Sequence, residues 1–333
     1  MLESWLYSSS SQRVFLVILA ASALDFLVGD PWGWPHPVRL MGWLIDRYQG
    51  MIFSWSLPRW GLRLAGAVLT LGLILGSGGL TWFLFHWLDR DATVLGLLFQ
   101  VILLASCFAG RSLRQAAQEV LAPLQQGHIG QARSALRHYV GRETDTLDPP
   151  EILRAILETV TENATDGVFA PLFYASLGIL FPEIGPVPFA LGYKAASTLD
   201  SMIGYYQAPF TDLGWFAAKT EDGLTWLPCR ILVLGIALLS GQFRRVWAVC
   251  QRDAPKDPSP NAGWSECAYA ATLGVQMGGM NTYGGLIKVK PLLGDGHQPI
   301  TATTIAQALS LTRRVYLLYL LLCLTTVILI YGL

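Results

Sequence analysis

Three carboxylates recur at four-residue intervals in one short stretch of the chain. Glu158, Glu162 and Asp166 lie in ETVTENATDGVFAPLFYASLG, residues 158–178, where a long apolar segment follows them at once. Residues four apart are neighbours on an α-helix, so the three carboxylates would form one stripe with Asn163 beside it. Stacked like charges repel one another unless a cation lies between them. Such a stripe is typical of a Mg²⁺ site beside a phosphate-bearing substrate, although a solvated acidic face has the same pattern.

A second polar cluster lies among prolines and glycines in GDPWGWPHPVRLMG, residues 29–42. Proline fixes φ, so a rigid turn would hold Asp30, His36 and Arg39 close together. This pattern agrees with a substrate-binding turn and equally with an interfacial cap anchored by tryptophans.

Two later stretches also combine charged and polar side chains. In KAASTLDSMIGY, residues 194–205, Lys194 and Asp200 are candidates for binding and catalysis. A lysine that extends from a helix end to the membrane surface would look the same.

The other stretch, residues 252–285, reads RDAPKDPSPNAGWSECAYAATLGVQMGGMNTYGG. Its prolines predict a stiff extended loop that leads into a helix, and its glycines allow a close backbone approach. A helix N-terminus beside a glycine-flanked amide is suited to phosphate, although the chain has no G-x-x-x-x-G-K-[ST] motif. A purely structural loop is the alternative. The candidate residues here are Asp253, Lys256, Ser259, Asn261, Asn281 and Tyr283.

The composition indicates that these residues are positioned by a membrane protein. Of 333 residues, 53% are hydrophobic and 14% are charged, against about 25% charged in soluble proteins. The formal net charge is zero, which argues against a nucleic-acid partner. The five cysteines are scattered without a C-x-x-C pair, so we expect buried reduced thiols rather than a zinc site or disulfides.

Apolar segments predict an all-α, polytopic helical bundle with a helical cytoplasmic layer and re-entrant pieces, forming a single membrane domain over residues 1–333. A spanning helix needs about 20 apolar residues. The predicted spans are 14–29, 64–85, 92–110 and 315–333. The segment 167–193 is interrupted and the segment 226–243 is short. Each is therefore compatible with a re-entrant helix, a core helix or a membrane span.

The flanking positive charges predict the orientation. Arginines and lysines concentrate in residues 111–164 and 241–314, and loops rich in these residues face the cytoplasm. The link Asp89–Asp91 then lies outside, and the polar motifs face the cytoplasm if residues 167–243 cross the membrane an even number of times.

In sequence order, these motifs resemble the CobD/CbiB family of cobalamin biosynthesis, the adenosylcobinamide-phosphate synthases. The matching pieces are GDPWGWPHPVRLMG, GRETDTL at 141–147, ETVTENATDGVFAPLFYASLG, STLDSMIGY and DAPKDPSPNAGW…NTYGG. The resemblance implies a cell-membrane ligase that uses ATP and Mg²⁺. It would join (R)-1-amino-2-propanol, or its O-phosphate, to the f-side-chain carboxylate of adenosylcobyric acid, giving adenosylcobinamide or its phosphate. Later cobalamin-assembly enzymes would be partners.

The chemistry of that reaction suggests a role for each motif. We expect Glu158, Glu162 and Asp166 to hold Mg²⁺ or the incoming ammonium group. Asp200 or Asp253 would be the base. The remaining catalytic and substrate-binding candidates are Lys256, Arg142 and Arg39 for phosphates or the corrin carboxylate, Asn163, Asn261 and Asn281 for the acyl group, and Asp30, His36, Lys194, Ser259 and Tyr283.

A transporter or an AmpE-like signalling protein without catalysis is the alternative. Interrupted apolar segments occur where discontinuous helices line a transport site. No inverted repeat is visible in the sequence, however, and the polar residues concentrate in loops, which favours the enzyme.

Overall fold

The computed structural model describes residues 10–29, 36–88, 94–205 and 207–331. Its described part is mostly helical, with one β-hairpin. The helices are α1 Ser10–Leu27, α2 Pro37–Ser54, α3 Arg59–Leu88, α4 Val94–Ala105, α5 Gly110–Gln125, α6 Ile129–Leu136, α7 Pro149–Asn163, α8 Ala170–Leu180, α9 Pro186–Ile203, α10 Phe210–Leu213, α11 Trp215–Leu239, α12 Phe243–Asp253, α13 Ala262–Leu273 and α14 Ala302–Tyr331; the strands are β1 Met277–Tyr283 and β2 Leu286–Leu293.

The chain folds into two compact units. The first comprises Met1–Ala109, Ala170–Thr225 and Leu320–Leu333, and the second comprises Gly110–Phe169 and Trp226–Tyr319. Within the first unit, α9 packs against α3 and α8, and α1 packs against α4 and α8. Within the second unit, α13 packs against α7 and α12, and the hairpin lies against α7 and α13.

Three helices in the described ranges are long and apolar enough to cross a membrane: Arg59–Trp87, Trp215–Leu239 and Ala302–Leu329. The first contains the predicted span 64–85. The third begins before the predicted span 315–333, because its helix starts at Ala302. Residues 226–239 of the open segment 226–243 belong to α11, a continuous helix of 25 residues.

The predicted span 92–110 is not one straight helix. Helix α4 has 12 residues, and the pair Val94–Ala105 and Gly110–Gln125 is bent by 40° at the break. This pair adds a fourth crossing if the two helices form one broken span. The predicted span 14–29 corresponds to α1, and its membrane crossing stays a prediction. Segment 167–193 is broken into α8 and α9, so its crossing also stays open.

Helix α7 begins where its sequence predicts. The Asp148 side chain accepts a hydrogen bond from the Glu151 N–H at 2.9 Å, and Pro149 and Pro150 occupy the first turn. The first N–H groups of a helix have no carbonyl partner within the helix. The aspartate side chain accepts from one of them, and proline has no N–H that needs a partner. The apolar face of α7, including Ile152 and Ile156, lies in the core of the second unit.

Beyond Asn163 the helical geometry changes. Residues Ala164–Phe169 form a π-helix, in which hydrogen bonds join residues five apart rather than four. Asp166 lies in this segment, so the four-residue stripe predicted for Glu158, Glu162 and Asp166 does not continue as regular α-helix.

The glycine-rich stretch forms an antiparallel hairpin that the prediction of an all-helical protein did not include. Asn281 pairs with Lys288 and Gly279 with Lys290, and a register shift falls between Met277 and Gly279. The proline-containing loop before α13 also differs from the predicted extended form, because Ala254–Lys256 is a turn of 3₁₀-helix.

Candidate functional site

The buried carboxylate Glu158 is held by two arginines of the second unit. Its Oε1 accepts hydrogen bonds from Arg154 Nη1 and from the Gly278 N–H, each at 2.9 Å. Its Oε2 pairs with Arg142. Burial alone would raise the pKa of Glu158, but Arg142 and Arg154 hold it below its ordinary value, so the carboxylate stays ionised.

Asn281 of β1 completes this cluster. Its Oδ1 accepts from Arg142 Nη1 at 2.7 Å and from Arg154 Nη2 at 3.0 Å. Arg154 also donates to the Met280 carbonyl at 3.0 Å. The cluster therefore fixes the hairpin to α7 through charge-assisted hydrogen bonds, which are stronger than neutral ones.

Gly278 makes this attachment sterically feasible. Its φ is +89°, a conformation that L side chains rarely adopt, and a Cβ here would collide with the Pro291 carbonyl oxygen. Only glycine lets the backbone amide approach Glu158 in this conformation.

A second cluster surrounds Lys290 of β2. Its Nζ lies 2.8 Å from Oε1 of Glu266, which is completely buried on α13. Burial raises the pKa of Glu266 to about 8, and Glu162 and Glu158 add to this rise against the opposing charge of Lys290. Burial likewise raises the pKa of Glu162, which Lys290 offsets in part. Lys290 therefore lies among carboxylates of different protonation behaviour.

Asp253 is the centre of a third cluster. It pairs with Arg252 at 2.6 Å and with Lys256 at 2.7 Å, and it accepts from the Gly294 N–H at 3.1 Å. Arg252 also reaches Asp295 at 2.7 Å. The hydrogen bond from Arg252 is the main reason that the pKa of Asp253 lies well below its usual range. A carboxylate this well paired is a poor proton acceptor, so the geometry does not favour Asp253 as the predicted base.

The loop before α13 holds the remaining predicted residues of this unit. Asn261 accepts from Arg230 Nη1 at 3.0 Å, and Arg230 stacks over the Trp264 ring at 4.5 Å. Ser259 caps the turn by accepting from the Ala262 N–H at 3.1 Å. The backbone N–H of Ser259 donates to Oδ1 of the buried Asp257 at 2.9 Å.

The acidic stripe does not assemble as a magnesium site. Both Glu158 oxygens already accept from arginines, and the exposed Asn163 donates to the Thr159 carbonyl at 2.9 Å. Across residues 10–29, 36–88, 94–205 and 207–331, no group of three His, Cys, Asp or Glu side chains is arranged to hold a metal ion. The three-carboxylate donor set predicted from spacing therefore does not fit Mg²⁺.

The first unit holds four other predicted residues. His36 is the N-cap of α2, where its Nδ1 accepts from the Val38 N–H at 3.2 Å, and Arg39 is exposed. Lys194 and Asp200 are half-buried on α9. Predicted residue Asp30 lies outside the described residues. In the second unit, Lys288 Nζ lies over the Tyr283 ring, 5.4 Å from the ring centroid.

Several residues of these clusters were missed by sequence reasoning. Arg154 lies four residues before Glu158, which is an ion-pair spacing that the sequence offers. Glu266 is an isolated acid in the small-residue helix AGWSECAYAATL, which could have marked it as a buried charge in need of a partner. The pairing of Glu266 with Lys290 has no local signal, because 24 residues separate them.

Comparison with known proteins identifies the family. The family model described as CobD/Cbib protein matches residues 18–312. The chain belongs to the CobD/CbiB family. The resemblance inferred from the motifs is thereby confirmed.

Curated relatives support the same assignment. The cobalamin biosynthesis protein CobD of Synechocystis sp. is 52% identical over 316 residues, which cover 95% of this chain and 92% of that protein. The cobalamin biosynthesis protein CobD of Halalkalibacterium halodurans is 39% identical over 91% of this chain and 93% of its own length. The cobalamin biosynthesis protein CbiB of Salmonella arizonae is 38% identical over 87% of this chain and 90% of its own. No solved structure matches the chain.

The CobD/CbiB match extends over all three clusters of the second unit, from Arg142 to Asp295. As a member of this membrane-protein family with three apolar helices of spanning length, the chain is an integral membrane protein, and the predicted helical membrane fold is confirmed. All five cysteines are buried free thiols, as predicted.

Proposed function

We propose that this chain is a cobalamin biosynthesis enzyme that forms an amide bond at the expense of ATP. It attaches (R)-1-amino-2-propanol, or its O-phosphate, to the f-side-chain carboxylate of adenosylcobyric acid, and releases adenosylcobinamide or its phosphate. The observation that carries the proposal is the match to a cobalamin biosynthesis relative across 95% of the chain.

The charge distribution of the second unit supports this chemistry. A carboxylate condenses with an amine only after one of its oxygens has been joined to a phosphoryl or adenylyl group, with which that oxygen leaves when the amine attacks. The site must therefore neutralise phosphate oxygens with cations and bind an ammonium with carboxylates. Lys256 and Arg252 are half-exposed and therefore suited to phosphates, whereas Arg142 is buried against Glu158 and serves to position the hairpin.

Magnesium enters this proposal with the nucleotide, since ATP is ordinarily used as its Mg²⁺ complex. We infer that the active site faces the cytoplasm, where ATP is available; the support is that the second unit contains both segments rich in arginine and lysine, 111–164 and 241–314. Its partners are the corrinoid and the amine, with later cobalamin-assembly enzymes as recipients of the product.

Turnover by the purified protein in nanodiscs tests the proposal. Adenosylcobyric acid, aminopropanol phosphate or free aminopropanol, and Mg-ATP are supplied, and the corrinoid and nucleotide products are identified by mass spectrometry and chromatography. We expect an amide product with matched ATP consumption, and ADP or AMP distinguishes an acyl phosphate from an acyl adenylate. Bound but unchanged corrinoid without ATP consumption would favour a transporter or a sensor instead.

A further inference from the structure

Two buried carboxylate oxygens of the second unit have no hydrogen-bond partner within the described residues: Oε2 of Glu266 and Oδ2 of Asp257. Glu266 is completely buried and Asp257 is 9% exposed. Buried polar atoms are almost always hydrogen-bonded, because an unpaired one costs free energy. Two such atoms of the same chemistry in one unit point to a ligand that donates hydrogen bonds.

The two carboxylates approach the same side of α13. A Cβ at Gly263 would lie 2.7 Å from the Asp257 Cβ, and Gly263 precedes Glu266 by three residues on that helix, so the two positions share one face. Glu162 of α7 interacts electrostatically with both Asp257 and Lys290. Glu162 also adds to the raised pKa of Glu266, so Glu162 lies within electrostatic reach of both carboxylates that hold an unpaired oxygen.

The charge of this region selects a cation. Lys290 is the cation directly paired with Glu266, and it occupies only Oε1. Glu158 is also nearby, but Arg142 and Arg154 already neutralise it. A primary ammonium group has three N–H donors and one positive charge, so it can donate to an unpaired carboxylate oxygen and offset its charge. The carboxylates are not arranged as a metal site within the described ranges.

We propose that Glu266 and Asp257, with Glu162, bind the primary ammonium group of the amine substrate, and that Oε2 of Glu266 accepts its proton. This inference rests on the proposed amide-forming function. The ammonium nitrogen loses one proton to Oε2, and its freed lone pair attacks the activated acyl carbon. As the adduct collapses, the C–O bond breaks, the phosphoryl or adenylyl group leaves with the former carboxylate oxygen, and the second nitrogen proton passes to a phosphate oxygen of that leaving group. The proton then leaves Glu266 for solvent as the product departs.

The raised pKa of Glu266, about 8 because of its burial and the neighbouring Glu162 and Glu158, suits this role. A base works best when its pKa lies near the operating pH. Burial is the largest cause of this pKa; Lys290 on β2 opposes the rise, and Glu162 and Glu158 on α7 add to it.

The experiment separates amine binding from acyl activation. Wild-type protein, Glu266→Gln and Asp257→Asn, each in nanodiscs with adenosylcobyric acid and Mg-ATP, receive either aminopropanol or hydroxylamine. Hydroxylamine is a neutral nucleophile at pH 7 that traps an activated acyl group as the hydroxamate without needing a base. The exposed Glu119→Gln on α5 is the matched control for the amide substitution.

We expect Glu266→Gln to form hydroxamate at the wild-type rate and amide about 100-fold more slowly, the size of effect expected for a lost general base. Asp257→Asn should raise KM for the amine by about 10-fold, and Glu119→Gln should leave both products unchanged. Glu266→Asp, which keeps a carboxylate, should recover part of the amide rate.

Equal loss of both products in Glu266→Gln, or no loss of either, would overturn the assignment. A defect relieved by Mg²⁺ rather than by amine would show a metal site instead. If Glu266→Gln does not fold, the KM of Asp257→Asn for aminopropanol is decisive. An unchanged KM would overturn the assignment. A wild-type protein that forms neither amide nor hydroxamate contradicts the proposed function itself, so the two failures are distinguishable.

Discussion

At the scale of single residues, the environment rather than the residue type separates the carboxylates of this site. Glu158 and Glu162 lie one helical turn apart on α7, yet two arginines keep the first ionised while burial shifts the pKa of the second upward. The sequence could identify both as candidates from their spacing. It could not distinguish them, because Arg142 and Lys290 reach them through tertiary structure.

Removal of the Arg142 side chain tests whether its ion pair with Glu158 stabilises the fold. Arg142→Ala leaves Glu158 buried with one arginine fewer, and we expect a loss of about 3 kcal/mol in the free energy of unfolding, as for other broken buried pairs. The control is Arg137→Ala, whose pair with Asp145 is exposed and should contribute less than about 1 kcal/mol. Denaturant unfolding in detergent micelles measures both, and equal losses would contradict the structural role of Arg142.

The titration of Glu266 predicts a dependence of stability on pH. Its pKa is raised by burial from 4.5 to about 8, so between these values the folded protein binds a proton that the unfolded chain does not. Stability from this group is therefore greatest at low pH and falls as pH rises from about 4.5 to 8. Glu266→Gln abolishes this titration. We expect its melting temperature, relative to wild type, to be higher at pH 8 than at pH 5, and a difference that does not vary with pH would refute the prediction.

At the scale of secondary structure, local sequence signals predicted the start of a helix. They did not predict elements that depend on contacts between residues distant in sequence. The start of α7 was predictable from Asp148 and the two prolines that follow it in sequence. The hairpin was missed because its first strand, MGGMNTY, lacks the alternation of apolar and polar residues that marks a strand. Its pairing is stabilised by Arg142, Arg154 and Glu158 from outside the hairpin. The π-helix at Ala164–Phe169 likewise has no recognisable local signal.

Two neighbouring glycines of β1 allow the hairpin contact to be tested. Gly278 and Gly279 both have positive φ, +89° and +101°, so alanine introduces similar backbone strain at each. Only at Gly278 would the new Cβ collide with a backbone carbonyl; at Gly279 it would merely touch a Leu292 methyl at 4.0 Å. We expect Gly278→Ala to lose more stability, by about 1–3 kcal/mol beyond the strain common to both, together with amide-forming activity. Similar melting temperatures for the two variants would contradict this account.

At the scale of the whole molecule, hydropathy predicted the membrane helices better than it predicted their ends. Span 64–85 lies inside a helix of 30 residues, and most of the segment left open at 226–243, residues 226–239, is part of another long helix. For segment 92–110 the bend between Ala105 and Gly110 was missed, because an uninterrupted apolar run does not reveal a bend; its crossing stays a prediction. Hydropathy also carries no information about sidedness, which only the distribution of arginine and lysine supplies.

Cysteine labelling tests that sidedness, because all five native thiols are buried and give little background. Gln131→Cys and Gln251→Cys are exposed positions on α6 and α12, one in each arginine-rich segment, and Arg90→Cys lies in the short link predicted to be outside. A membrane-impermeant maleimide should label Arg90→Cys in intact cells, and the two glutamine positions only after permeabilisation. The reverse pattern would invert the predicted orientation and place the proposed ATP site outside. Labelling of Gln131→Cys and Gln251→Cys from opposite sides would mean an odd number of crossings between them, which is incompatible with one cytoplasmic site built from both segments.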